Sequence, residues 1–225
     1  MIAVGLDGYR QGWVAVRIDG AACELLFLKS ASELLTMTFD RAAIDMPIGL
    51  PERGLRACDL AARAKLRPHA SRVFTGIQRD LWNYPTHADA VRALKQRDEA
   101  GISIQLWNLL PKIHEVDAIM TPRRQASIRE AHPELVFARL NGGEPLPSKK
   151  TEEGVAQRCT LLRREGFDAI GTWIDVARIG KGARADDVLD ACAVAIAARD
   201  FDQGFCLPEG EALTDAKGLT MQIWY

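Results

Sequence analysis

The chain has 225 residues, 48% of them hydrophobic and 26% charged, which is ordinary globular composition with enough length for a substantial core. The net charge of −1 offers no whole-molecule attraction for nucleic acid, and no apolar run reaches membrane-spanning length. Cys23, Cys58, Cys159, Cys192 and Cys206 are odd in number, widely spaced and without a Cys-x-x-Cys pair, so they read as free thiols rather than as a disulfide frame or zinc site.

No Pro/Gly/Ser-rich linker, low-complexity stretch or internal repeat divides the chain, so a single domain over residues 1–225 is expected. The opening Ile2-Ala3-Val4-Gly5-Leu6 is too short for a signal-peptide core and lacks a basic leader; the cytoplasm is the expected compartment. His69, His87, His114 and His132 lack zinc-ligand spacing.

Residues 2–6 read as a strand ending at Asp7-Gly8. A second strand follows, where Val14, Val16 and Ile18 alternate with Ala15 and Arg17. Asp19-Gly20 is a hairpin signal, and residues 23–28 make a third strand, so the first three strands are expected to be antiparallel neighbours. Ser30-x-x-Glu33 has the form of a capping box and predicts a short helix to Met37. Residues 41–45 form a fourth strand, stopped by Pro47 and Pro51.

Residues 55–120 read as mainly helical. The segments are 56–66, then 87–100 with Gly101 as a C-cap, then 103–116 with a disturbance at Pro111. A fifth strand is expected at 126–130. Pro133 opens a helix that stops at Asn141-Gly142-Gly143, another spans 153–165, and a last one spans 186–199. The tail 219–225 has strand character without an evident role. The expected architecture is α/β, a mixed five-stranded sheet flanked by helices with a mainly helical insertion at about 52–125.

Acidic residues carry the candidate chemistry. Asp7 and Asp45 both stand at strand ends, where turn formation or backbone hydrogen bonding would explain them, but where open α/β sheets also place their ligands. Asp187 and Asp190 are spaced i,i+3 and share a helix face. Helix capping accounts for Asp186 or Asp187, but not for Asp190, which is followed by almost uniformly small apolar residues. Clustered carboxylates repel, so a buried set needs a cation or raised pKa values, and an all-oxygen site suits Mg²⁺ or Mn²⁺.

Between Glu52 and Arg79 seven basic residues face two acidic ones, a local net of +5. Arg56, Arg63 and Arg67 fall on one helical stripe, either a solvated face or a set of phosphate contacts. Lys149-Lys150-Thr151 precedes a helix, where an anion can be held. Trp82 and Tyr84 are core residues or base-stacking platforms. Glu130 is read as an extra ligand, a proton acceptor or a local structural acid. His132 is read as a proton-transfer group or a helix-start residue.

The segments Gly5-Leu6-Asp7-Gly8 with Gly12-Trp13, Asp45-Met46-Pro47-Ile48-Gly49-Leu50-Pro51, Glu130-Ala131-His132-Pro133-Glu134 and Asp186-Asp187-x-x-Asp190-Ala191 occur in order over about residues 3–199. This pattern resembles the family called domain of unknown function 429, whose members are regarded as predicted nucleases of RNase H-like fold. More distantly it resembles RuvC-type Holliday-junction resolvases, which carry an acid on the first strand, another on the fourth and Asp-x-x-Asp-Ala on the final helix. Asp45 stands where those enzymes usually have Glu, and the insertion before Glu130 is a larger departure. The resemblance implies an RNase H-like sheet and a catalytic set of Asp7, Asp45, Asp187, Asp190 and Glu130. The four aspartates would be the ligands of divalent metal, and DNA or RNA the substrate. Two ions would then flank a scissile phosphate.

Two other classes remain open at this level. An ATPase or sugar-kinase-like protein also opens with Gly-x-Asp-x-Gly, although this chain has length for one copy of such a fold and has Gln11-Gly12-Trp13 in place of a hydroxyl-rich turn. A non-catalytic nucleic-acid or metal-binding module is the other, and a phosphodiesterase acting on small nucleotides is a variant of the enzymatic reading. No phosphate-loop, nucleophile-elbow or dinucleotide fingerprint is present.

Overall fold

Alternating β-branched and aromatic side chains make β1 (Ile2–Tyr9), β2 (Gly12–Asp19) and β3 (Ala22–Leu28) an antiparallel meander in the computed structural model, which describes residues 1–225. Gly20 turns the second hairpin at φ +59°, a conformation that glycine adopts without penalty. β4 (Arg41–Ile44) pairs parallel to β1, and β5 (Ile128–Ala131) parallel to β4. The sheet has seven strands rather than the expected five. The chain after residue 200 adds β6 (Cys206–Leu207) and β7 (Ile223–Trp224), giving the order β3-β2-β1-β4-β5-β7-β6. Each added strand is only two residues long, too short to show alternation, and the tail therefore had no legible role.

Helices cover both faces. α1 (Ala57–Lys65), α5 (Pro133–Leu140), α6 (Glu152–Arg164) and α8 (Ala185–Arg199) share one core with the Ala3, Val14 and Ala43 side of the sheet. α2 (His87–Gln96) and α3 (Ile104–Ile119) build the other core against Val4, Leu6 and Ile44. α4 (Pro122–Gln125) and α7 (Ile170–Val176) are short connectors. α3 runs unbroken through Pro111, because Leu106, Leu110, Ile113 and Val116 anchor it on both sides of that residue. The segment after β3 differs from expectation. It is a 3₁₀ turn at Ala31–Thr36 in which the Ser30 hydroxyl pairs with Ser32 instead of capping, while Glu33 accepts from the Lys29 N–H at 2.9 Å.

α8 is the helix that positions the site. It is buried from Asp187 to Ala198 and lies across β1, where Gly5 leaves no side chain between helix and strand. A Cβ at position 5 would stand 2.2 Å from the Ala195 nitrogen and 2.4 Å from the Ala191 oxygen. Both are backbone atoms that cannot rotate away, so Gly5→Ala should destabilise the protein by about 3 kcal/mol, the upper end of ordinary overpacking. Thermal or urea unfolding checks this, and a loss below about 1 kcal/mol would mean that α8 can lift off β1.

Candidate metal centre

β1 and β4 run parallel with Leu6 opposite Ile44, so the next residues, Asp7 and Asp45, emerge side by side at the carboxyl ends of the two strands. The Asp45 N–H donates to the Leu6 carbonyl at 2.9 Å, fixing that register. Strand alternation turns both side chains toward α8, on the face of Gly5 and Ala43. From above, α8 contributes Asp187 and Asp190. Together the four aspartates line a cleft of about 600 Å³. One wall of the cleft comes from the insertion, including Phe74, Leu106 and Leu109, and the opposite wall from Lys149, Lys150 and Arg184.

The four acids are not equivalent. Asp187 accepts the Arg184 N–H at 2.6 Å and so closes the first turn of α8, although burial still raises its pKa. Asp190, 2% exposed, takes the Lys149 ammonium on Oδ2, while its buried Oδ1 has no partner. Burial raises the pKa of Asp190 against the opposing pull of Lys149. Burial, then the charges of Asp45 and Asp190, hold Asp7 well above the usual carboxylate range. Asp45 keeps part of its surface open to the cleft, but burial and then the Asp190 charge push it from 3.8 up to about 8. Removal from water would lower the pKa of Lys149, but the carboxylates of Asp190 and Asp7 outweigh that effect and keep it an ammonium.

A hard divalent ion matches the chemistry of these donors, which are all carboxylate oxygens, one of them buried and unpartnered. As arranged, no three His, Cys, Asp or Glu side chains stand around one point closely enough to hold an ion. The cation beside Asp190 is Lys149, which also lies 3.9 Å from Asp186. Asp7, Asp45 and Asp190 are the residues that would hold a metal.

Several predicted residues stand elsewhere. Glu130 lines the cleft, but its carboxylate is occupied. It accepts the Ile48 N–H at 2.7 Å and binds both terminal nitrogens of Arg56. Arg56 also lines the cleft, but its guanidinium is engaged by internal carboxylates. It is 1% exposed, precedes α1 rather than riding on its face, and is shared by Asp59 and Glu130. Arg63 donates to the Val73 carbonyl at 2.8 Å, Arg67 lies beyond the end of α1, and neither lines the cleft, so the expected basic stripe does not form there. Trp82 stacks on His114 at 4.8 Å and Tyr84 joins the Asp80–Arg97 pair, both away from the cleft.

Lys150 is exposed on the rim, whereas Lys149 points inward. Sequence reasoning assigned Lys149 to an external anion and missed that its anion is Asp190. It also missed Arg184 at the rim and Arg72, which bonds Glu134 and the Leu146 carbonyl. The placement of Arg184 just before the helix bearing Asp187 was a usable signal; nothing local distinguished Arg72.

Two carboxylate substitutions should behave oppositely in metal-free buffer. Glu130→Gln leaves the buried Arg56 short of a counter-charge and should cost about 3 kcal/mol in urea unfolding, as when one partner of a buried pair is removed. Asp45→Asn removes a group that holds its proton to about pH 8 when folded but releases it near 3.8 when unfolded. The native state thus binds more protons across that window, and the Asp45 contribution to stability falls as pH rises. The variant's Tm relative to wild type should climb between pH 4 and 8. A constant difference would assign the titration to another group.

No helix is long and apolar enough to cross a membrane. No curated protein and no solved structure matches the chain. The family model described as "Protein of unknown function (DUF429)" matches residues 5–212. That span runs from the strand bearing Asp7 past the helix bearing Asp190, and the chain belongs to the domain of unknown function 429 family.

Proposed function

We propose that the protein is a divalent-metal-dependent nuclease of RNase H-like fold, hydrolysing phosphodiester bonds of DNA or RNA with Mg²⁺ or Mn²⁺. The observation that carries this reading is the group formed by Asp7 and half-buried Asp45, at the carboxyl ends of two parallel strands, and buried Asp190 on α8, with raised pKa values and an orphaned Oδ1. The antiparallel meander, followed by parallel β4 and β5 and a closing helix on the sheet, supports the RNase H-like part, with β6 and β7 as an addition.

When bound, the metal polarises the phosphoryl oxygen and lowers the pKa of water. Asp7, Asp45 and Asp190 would hold it, and Asp187 fixes the first turn of the helix from which Asp190 projects. Lys150 and Arg184, on the rim, attract the phosphate backbone. His132 lines the same cleft with a buried, unpartnered Nδ1, and burial lowers its pKa, keeping it a neutral acceptor for the proton released by the attacking water. The water oxygen bonds to phosphorus as the ester P–O bond breaks. A cleft of about 600 Å³ lies within the ordinary size of small-molecule sites and favours a second reading, a phosphodiesterase acting on short or dinucleotide substrates.

Labelled DNA, RNA, hybrid, branched and dinucleotide substrates with Mg²⁺ or Mn²⁺ test both readings. Asp7→Asn resembles the protonated acid in shape and charge, so the variant should keep its fold by circular dichroism. Its cleavage should fall on the order of a hundredfold or more, the effect of deleting one electrostatic stabiliser of a transition state. Wild-type protein that cleaves no substrate in the panel would end the hydrolase assignment.

A further inference from the structure

Lys149 enters the acidic centre from the loop between α5 and α6, and that loop is built to hold it there. Thr151 caps α6 by accepting the Gly154 N–H at 3.1 Å. Gly154 lets the loop fold back on the helix, since a Cβ there would stand 2.0 Å from the Ser148 oxygen. The fully buried Arg158 donates to the Pro147 carbonyl at 2.9 Å and to Glu134 at 2.6 Å. Arg72, reaching from the insertion, bonds the other oxygen of Glu134 and the Leu146 carbonyl. α5, α6 and the insertion thus converge to fix the residues on either side of Lys149.

The ammonium also divides the available ligand atoms. Asp187 Oδ2 is engaged by the Arg184 backbone and Asp190 Oδ2 by Lys149, which leaves Asp7, Asp45, Asp187 Oδ1 and the orphaned, buried Asp190 Oδ1 along the cleft. One ammonium and one divalent ion would neutralise the three carboxylates of Asp7, Asp45 and Asp190. Asp190 could bridge a second ion only through the oxygen that Lys149 holds.

We propose that Lys149 is a resident cation of this centre and that it restricts the site to a single divalent ion, in place of the two that the acidic set would otherwise accept. The inference rests on the metal-site reading above and makes Lys149 a positioning residue for Asp190. It also separates Lys149 from Lys150, its exposed neighbour, which no carboxylate engages.

Manganese titration of the full chain, followed by calorimetry and electron paramagnetic resonance, tests this without any substrate. Wild type should take up one Mn²⁺ with the spectrum of an isolated ion. Lys149→Met should take up two, with the exchange-coupled spectrum of a pair, and Lys149→Arg should remain at one. Two coupled ions in the wild type would overturn the inference even if Lys149→Met does not fold. One ion in both wild type and Lys149→Met would overturn it as well, while leaving the metal site itself intact. No ion in either protein would remove the metal reading and this inference with it.

Discussion

The backbone of α8 rests on β1 at Gly5 with no side chain between them, a contact in which an added methyl would lie inside the van der Waals distance of Ala191 and Ala195. The rest of the site depends on that proximity. It brings the first turns of α8 over the ends of β1 and β4, so that Asp190 shares a cleft with Asp7 and Asp45. The small residues that make the approach possible, Ala191 and Ala195, are the next residue after Asp190 and the one a turn further on. The motif Asp-x-x-Asp-Ala therefore joins a packing requirement to a chemical one in a single helix.

Close packing has an electrostatic consequence. Desolvation disfavours ionised carboxylates, and here Asp7 and Asp190 are buried beside half-buried Asp45, with one ammonium in direct contact with Asp190. The two neighbouring ionic clusters are balanced differently. Arg56 is shared by Asp59 and Glu130, and Glu134 by Arg72 and Arg158, with each member hydrogen-bonded to another. The Arg56 cluster also holds the backbone after β4 through Ile48 and Gly49, and the Glu134 cluster ties the insertion to the loop that carries Lys149. The aspartate centre differs from these clusters in having one ammonium among three carboxylates and a buried carboxylate oxygen with no partner.

The insertion between β4 and β5 is part of the cleft rather than an appendage. Its long helix α3 packs its apolar face on the sheet through Leu106, Leu110 and Ile113, and the same helix lends Leu106 and Leu109 to the wall above the aspartates. The insertion thus adds apolar side chains to a cleft whose other lining residues include Lys149, Lys150 and Arg184.

The meander, the Asp19-Gly20 hairpin, α8 and the chain order of the acids were all legible in the sequence, because their signals are local: alternation, turn chemistry and helical spacing act between residues a few positions apart. That Asp7 and Asp45 lie together followed from two adjacent parallel strands ending in the same register. Partner choice among charged side chains was not legible. Arg56 meets Glu130 across 74 positions and Lys149 meets Asp190 across 41, and an arginine or lysine reads the same in sequence whether it faces water, a phosphate or a buried carboxylate. The tail 219–225 showed strand character, and β7 lies within it, but the two-residue β6 escaped, since pairing with β7 and not any periodicity of its own makes it a strand. Local physics thus determined the elements and the acids they carry. Tertiary packing decided which charges neutralise one another, and so which carboxylates are left short of a cation.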